Sequence, residues 1–172
     1  MASGGPNGAG DGYLQIGSNA YHLGTKNDVQ WAGDYIAAGI TSIEMDVNHI
    51  SPGSDTVELR VLIHGPGGIF ASTSLAPSLA GDTWEHLPFG LTVADLTYVS
   101  DGTNNLASTL SAVSRLQVRH DEPDATTNPP GLHPPHITAT VGIDNIEAVP
   151  EPTTVALLLL GGLVLLRRRW SG

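Results

Sequence analysis

Cysteine is absent from the chain. That excludes disulfides, thiolate zinc sites and a cysteine nucleophile. Positive charge is scarce, with 7 Lys and Arg against 17 Asp and Glu. Arg167, Arg168 and Arg169 crowd the C-terminal end, which leaves Lys26, Arg60, Arg115 and Arg119 for everything before it. A phosphate-binding surface needs clustered Lys and Arg, so nucleic acid is not an expected partner. An acidic surface instead favours solubility and can hold divalent cations. No Gly-x-Ser-x-Gly elbow occurs, so His64-Gly65-Pro66-Gly67-Gly68 reads as a glycine-rich hairpin and not as the oxyanion loop of a lipase. The glycines near Gly4–Gly12 do not match phosphate-binding spacings, and no internal repeat stands out. The chain also opens without the basic start and apolar core of an export leader: Met1-Ala2-Ser3-Gly4-Gly5-Pro6 is polar.

What is present is most distinctive at the other end. Val149-Pro150-Glu151-Pro152 precedes Thr153-Thr154, and every residue from Val155 to Leu166 is apolar or Gly. The prolines resist helix continuation and separate this segment from what comes before. A helix over about 153–167 would satisfy its own backbone and show Leu and Val to lipid. The run is shorter than the roughly 20 residues of a full crossing. It nevertheless lacks the polar positions that an amphipathic core helix carries. Arg167, Arg168 and Arg169 form a stop-transfer cluster on the cytoplasmic side, and Trp170 suits the headgroup layer. This order of Pro-Glu-Pro, apolar helix and arginines resembles the PEP-CTERM sorting signal of Gram-negative bacteria. The resemblance covers residues 149–169. The same tail also occurs on proteins described as carrying an ice-binding-protein C-terminal domain, a name for the tail and not for ice binding. The resemblance implies an exosortase-type protease as partner, cutting near the Pro-Glu-Pro. It also implies a transient inner-membrane anchor, a surface or extracellular destination, and a link to exopolysaccharide matrix. An exported chain needs a leader, so the expectation is that the true start lies upstream of Met1.

The body alternates with a period of two. Ile43, Met45 and Val47 alternate with Glu44, Asp46 and Asn48; Val57, Leu59, Val61 and Ile63 with Glu58, Arg60, Leu62 and His64; Leu116 and Val118 with Arg115, Gln117 and Arg119; Ile137, Ala139, Val141 and Ile143 with Thr138, Thr140, Gly142 and Asp144. Such a period places one set on a buried face and the other on a wet one. Gly, Pro, Asn and Asp clusters punctuate the runs at 51–55, 65–68 and 101–105. Short strands between turns indicate an all-β antiparallel sandwich. Short helices are expected at Ala32–Ala38 and near Leu106–Ser114. The five prolines between Asp121 and His136 make that stretch a loop. The expected organisation is a flexible segment 1–10, a sandwich 11–148 and an anchor 149–172.

A second resemblance spans most of residues 11–148. Trp31-Ala32-Gly33-Asp34-Tyr35-Ile36-Ala37-Ala38-Gly39-Ile40-Thr41-Ser42-Ile43, Val57-Glu58-Leu59-Arg60-Val61 and Gly142-Ile143-Asp144-Asn145-Ile146 are similar to segments in PEP-CTERM proteins. Their body looks like a jelly-roll sandwich of the galactose-binding or carbohydrate-binding-module kind. This implies that first and last strands are neighbours, with a structural calcium where they meet. Asp11 and Asp144 would supply part of its shell of six to eight oxygens; the alternative is that Asp11 caps a turn and Asp144 bonds neighbouring amides. Trp31, Tyr35 and Trp84 are candidate platforms for a sugar ring, with Glu85 and His86 beside Trp84 to bond hydroxyls. The alternative is burial in the core, the common fate of tryptophan where aromatics are few. His133 and His136 make an incomplete metal site. Glu44 and Asp46 share a strand face, as glycosidase carboxylates do and as a plain solvated face also does. The leading expectation is a non-catalytic surface protein that binds envelope polysaccharide. A structural adhesion module, or a glycan-active enzyme using Glu44, Asp46, Glu85 or Asp144, stands behind it.

Overall fold

The computed structural model describes residues 2–51, 56–73, 81, 83–121 and 136–151. Pro152, the expected helix over 153–167, the three arginines, Trp170 and the proline-rich stretch with His133 lie outside the described residues. Among the described residues ten strands, β1 (Ala2–Gly5), β2 (Gly8–Tyr21), β3 (Gly24–Asn27), β4 (Ile40–Ser51), β5 (Leu59–Gly65), β6 (Gly68–Ser72), β7 (Trp84–Gly90), β8 (Leu96–Ser100), β9 (Arg115–His120) and β10 (His136–Pro150), accompany one short helix, α1 (Leu106–Leu110). They form two five-stranded antiparallel sheets. The first runs β1-β2-β10-β4-β7 and the second β3-β9-β5-β6-β8. Among the described residues no helix is long and apolar enough to cross a membrane.

The period-two runs meet between the sheets. Ile43, Met45 and Val47 from β4, Ile137, Val141 and Ile143 from β10, Leu59, Val61 and Ile63 from β5, and Leu116 and Val118 from β9 join one core cluster. Each is at most 2% exposed, and full burial of such a side chain is worth roughly 1.5–3 kcal/mol. A sandwich results because each sheet hides its apolar face only against the other.

Five features depart from the expectations. Residues 2–10 are not a loose segment: β1 and the start of β2 form a hairpin, with Gly5 opposite Gly8. Gly4 and Gly8 hold φ of +100° and +112°, which only glycine adopts cheaply. The segment 32–38 gives one turn and no helix. Ala38 N–H reaches the Asp34 carbonyl at 3.1 Å, the Asp34 side chain caps Ala37, and Gly39 at φ +67° ends it. The second helix stops at Leu110 instead of 114, because Val113 turns away to exchange backbone bonds with Gly33. β5 is buried on both faces: Arg60 is 5% and Leu62 3% exposed, since Leu62, Ala71 and Val99 form a second small cluster on its outer side. Finally, β10 continues through Val149 and Pro150, which pair with Ser42 and Ile40. The fold therefore runs into the first half of the Pro-Glu-Pro motif, and Glu151 N–H still bonds the Gly39 carbonyl.

Candidate binding face

The outer face of the first sheet gathers the polar halves of its strands. Opposed residues in a ladder point to the same side. Asp46 lies opposite His86 on β7 and Asp144 on β10, and Asn48 lies opposite Trp84 and Gly142. Glu44, Asp46, Asn48, Trp84, His86, Gly142 and Asp144 therefore share this face. The imidazole of His86 bridges two carboxylates, Nδ1 to Asp46 Oδ1 at 3.0 Å and Nε2 to Glu44 Oε2 at 3.2 Å. The hydrogen bond to Asp46 leads in holding the His86 pKa above its ordinary value; burial opposes it, and the hydrogen bond to Glu44 adds to it. Ser42 donates to Glu44 Oε1 at 3.0 Å, and Asn145 Nδ2 donates to Asp46 Oδ2 at 2.7 Å.

Asn145 reaches Asp46 because of a bulge. Between the pairs Asp144/Asp46 and Glu147/Glu44 the β10 strand spends one residue more than β4. Asn145 takes the strain at φ +48°, a left-handed conformation that Asn tolerates better than most residues. Bulges of this kind re-aim side chains.

An aromatic corner adjoins the acidic row. Tyr13 and Trp84 meet edge to face, with ring centroids 5.2 Å apart and planes at 77°. Both rings lie over Gly142, where a Cβ would stand 2.9 Å from Trp84 Cη2 and 3.0 Å from the Tyr13 ring. Trp84 Nε1 donates to the Gly4 carbonyl at 3.2 Å, so the β1–β2 hairpin pins the indole. Tyr13 is buried at 8% exposure, while Trp84 keeps part of its surface open. Asn48 sits beneath, 7% exposed, with a buried Oδ1 that has no hydrogen-bond partner.

Of the residues named from sequence, Trp84, His86, Glu44, Asp46 and Asp144 come together here. Glu85 does not. It pairs with Val47 and so points to the opposite side of β7. Consecutive strand residues cannot share a face, which corrects the grouping of Glu85 with its neighbours. Tyr35 is also corrected: it is 5% exposed within the core, its hydroxyl donates to the Trp31 carbonyl at 2.8 Å, and burial pushes its pKa up to about 12. Trp31 packs against the same core from its margin. Asp11 Oδ2 accepts the Asn7 amide at 3.0 Å, and Asp144 Oδ1 accepts the Asn145 amide at 2.9 Å. Asp11 thus caps the turn at Asn7, and Asp144 bonds a neighbouring amide. β2 and β10 are neighbours, yet among the described residues no three His, Cys, Asp or Glu cluster to hold a metal. Tyr13, Asn48 and Asn145 were not singled out from sequence. Asn48 was legible as the next step of the Glu44-Asp46 alternation, but Tyr13 and Asn145 depend on a long-range pairing and a bulge.

No family model and no curated protein matches the chain. Among solved structures it is similar to one titled "Structural analysis of an exo-beta-agarase", with a TM-score of 0.60 and 15% identity. That likeness covers 88% of this chain and 22% of the agarase chain, so this chain spans about a fifth of that protein. It shows a shared sandwich fold.

Proposed function

We propose that the chain is an exported, non-catalytic glycan-binding module. Its sandwich is of the jelly-roll carbohydrate-module kind, and its C-terminal segment is a PEP-CTERM signal that an exosortase removes at the inner membrane. The observation that carries the binding reading is the aromatic corner of Trp84 and Tyr13 beside the Glu44–His86–Asp46–Asn145 row on one sheet face. A sugar ring offers an apolar C–H face and a rim of hydroxyls. A partly open indole accepts the first, and carboxylates and amides held in fixed positions accept the second. The fold shared with part of an agarase is compatible with such a module.

The test is affinity electrophoresis of the full chain through gels containing agarose, other neutral polysaccharides or envelope exopolysaccharide. Retardation by at least one of them is expected. Trp84→Ala should weaken it about tenfold or more, as loss of a stacking anchor of about 1.5 kcal/mol requires. Unretarded migration in every gel, or identical migration of Trp84→Ala, would refute the reading. Release of reducing sugar, abolished by Glu44→Gln or Asp46→Asn, would replace it with an enzyme.

A further inference from the structure

The four cationic side chains that precede the C-terminal arginines converge on the outer face of the second sheet. Arg60 on β5 lies opposite Arg119 on β9, Lys26 on β3 lies opposite Gln117, and Arg115 follows two residues before Gln117 on the same side. Arg115 is neutralised by a two-pronged ion pair with Asp28. Arg60 donates to Asp121 at 2.9 Å and to the carbonyls of Ser72 and Thr73. Arg119 has less. Among the described residues its nearest carboxylate is the same Asp121 oxygen, 3.8 Å away. Its side chain is 13% exposed, and its Nε and Nη2 are buried with no hydrogen-bond partner. Among the described residues the two guanidinium groups thus share one carboxylate, and one positive charge is left over. Burial and the neighbouring Arg60 accordingly depress the Arg119 pKa, against the opposite pull of Asp121. Lys26 forms no ion pair among the described residues.

This surplus borders an open hollow of about 240 Å³ lined by His22, Gly24, Thr25, Lys26, Gln117 and Arg119. A second hollow of about 220 Å³ shares Thr25 and Lys26 with it and is walled by Trp31, Leu14 and Ile146. Leu14 is 43% exposed there. A charged recess and an apolar recess therefore adjoin at the β3 edge of the sandwich.

We propose that the Arg119–Lys26 hollow is an oxyanion subsite that takes a carboxylate or sulfate carried on an acidic glycan, with the apolar face of the sugar against Trp31 and Leu14. A guanidinium fork matches such oxyanions with paired N–H donors. Arg119 holds two donors that no described residue satisfies, so turning toward an anion costs it no existing hydrogen bond. A buried charge without a full partner is unfavourable, and a bound anion removes that penalty. The anion site stands on this geometry alone; the glycan as its carrier rests on the glycan-binding reading.

The test uses the full chain and four probes: sodium sulfate, galacturonate monomer, polygalacturonate and neutral dextran. The Arg119 Nε–Hε resonance should shift on titration with sulfate or galacturonate. Polygalacturonate should bind about tenfold or more tighter than its monomer, and dextran should leave the resonance unmoved. Lys26→Gln, on an exposed strand edge, and Arg119→Gln should each weaken polygalacturonate binding severalfold, while Val93→Ser, at an 84% exposed position outside both faces' sites, should not. No shift with either small anion, or unaltered polymer binding in both variants, would overturn the proposal. Equal affinity for monomer and polymer would assign the site to a free anion and overturn the glycan as its source. If Trp84→Ala abolishes binding of neutral glycan only, the two faces fail or succeed separately.

Discussion

On the outer face of the first sheet, Glu44, Asp46 and Asp144 remain partly open to water, and the first two hold an imidazole that is itself 58% exposed. On the outer face of the second, Arg60 and Asp121 are 5% and 3% exposed and Arg119 is largely covered. The chain carries a formal charge of −10, yet the four cations that precede the C-terminal arginines share one face, and two of them, Arg60 and Arg119, are sunk into it. Electrostatics teach different things in the two settings. Exposed charges in high dielectric attract or repel visitors at small cost to the fold. Buried charges must be answered by the fold, and any left unanswered is a liability or a site. The first face should therefore be tolerant of substitution and decisive for binding. The second should be structurally demanding at Asp121 and permissive at Arg119.

The sharpest way to break that contrast is at Asp121. Asp121→Ala removes the one carboxylate shared by Arg60 and Arg119. Leaving buried guanidinium charge unpaired costs about 3–5 kcal/mol, which urea denaturation will read as a large fall in midpoint. Arg119→Gln removes the surplus charge instead and should change stability by less than about 1 kcal/mol. Equal losses from the two variants would mean that the second face holds its charges no differently from the first.

A middle-sized effect is expected at the floor of the aromatic corner. Gly142→Ala places a methyl group 2.9 Å from Trp84 Cη2 and 3.0 Å from Tyr13, so the ring pair must separate. Overpacking of this kind costs about 1–3 kcal/mol. The Trp84 fluorescence should change with it, and neutral-glycan affinity should fall more than anion affinity on the opposite face. Unchanged fluorescence would show that the rings are not seated on Gly142.

How much of this was legible beforehand follows the range of the interactions. The alternation of Ile43, Met45 and Val47 is local, and it foretold both a buried face and the exposed partners Glu44 and Asp46. The same rule placed Arg60 and Leu62 in water and failed, because Leu62 meets Ala71 and Val99 from other strands. Trp84, Glu85 and His86 were adjacent in sequence, but the pleat separates them. Residues 2–10 read as a flexible segment because glycine is a weak strand former; pairing of β1 with β2, with Gly4 and Gly8 at positive φ, overrides that preference. Asn145 acquires its role only from a one-residue bulge, and no period in the sequence announces one. The convergence of Lys26, Arg60, Arg115 and Arg119 needed the register of three strands. Their scarcity was visible in composition, and their common destination was not.

The smallest effect expected is a pH dependence from His86, and it probes the exposed face directly. The groups that face it are Asp46 and Glu44 from β4, with Asp144 and Glu147 one strand further on β10. All are acidic, and the bond to Asp46 leads in raising the His86 pKa above 6.5. The protonated imidazole is thus favoured in the folded chain more than in the unfolded one. Its contribution to stability is fully present below about pH 6.5 and is lost as pH rises through the higher folded value. Because His86 is exposed and salt screens such pairs, the contribution is only a few tenths of a kcal/mol. Denaturation midpoints of the chain should decline slightly across this window at low salt and hardly at all at high salt. His86→Gln should flatten the low-salt decline. It keeps hydrogen-bonding capacity beside Asp46 and Glu44 but carries no titrating charge. A decline that persists in His86→Gln would place the titration elsewhere, and one that survives high salt would mean that the first face is less open to solvent than its exposure indicates.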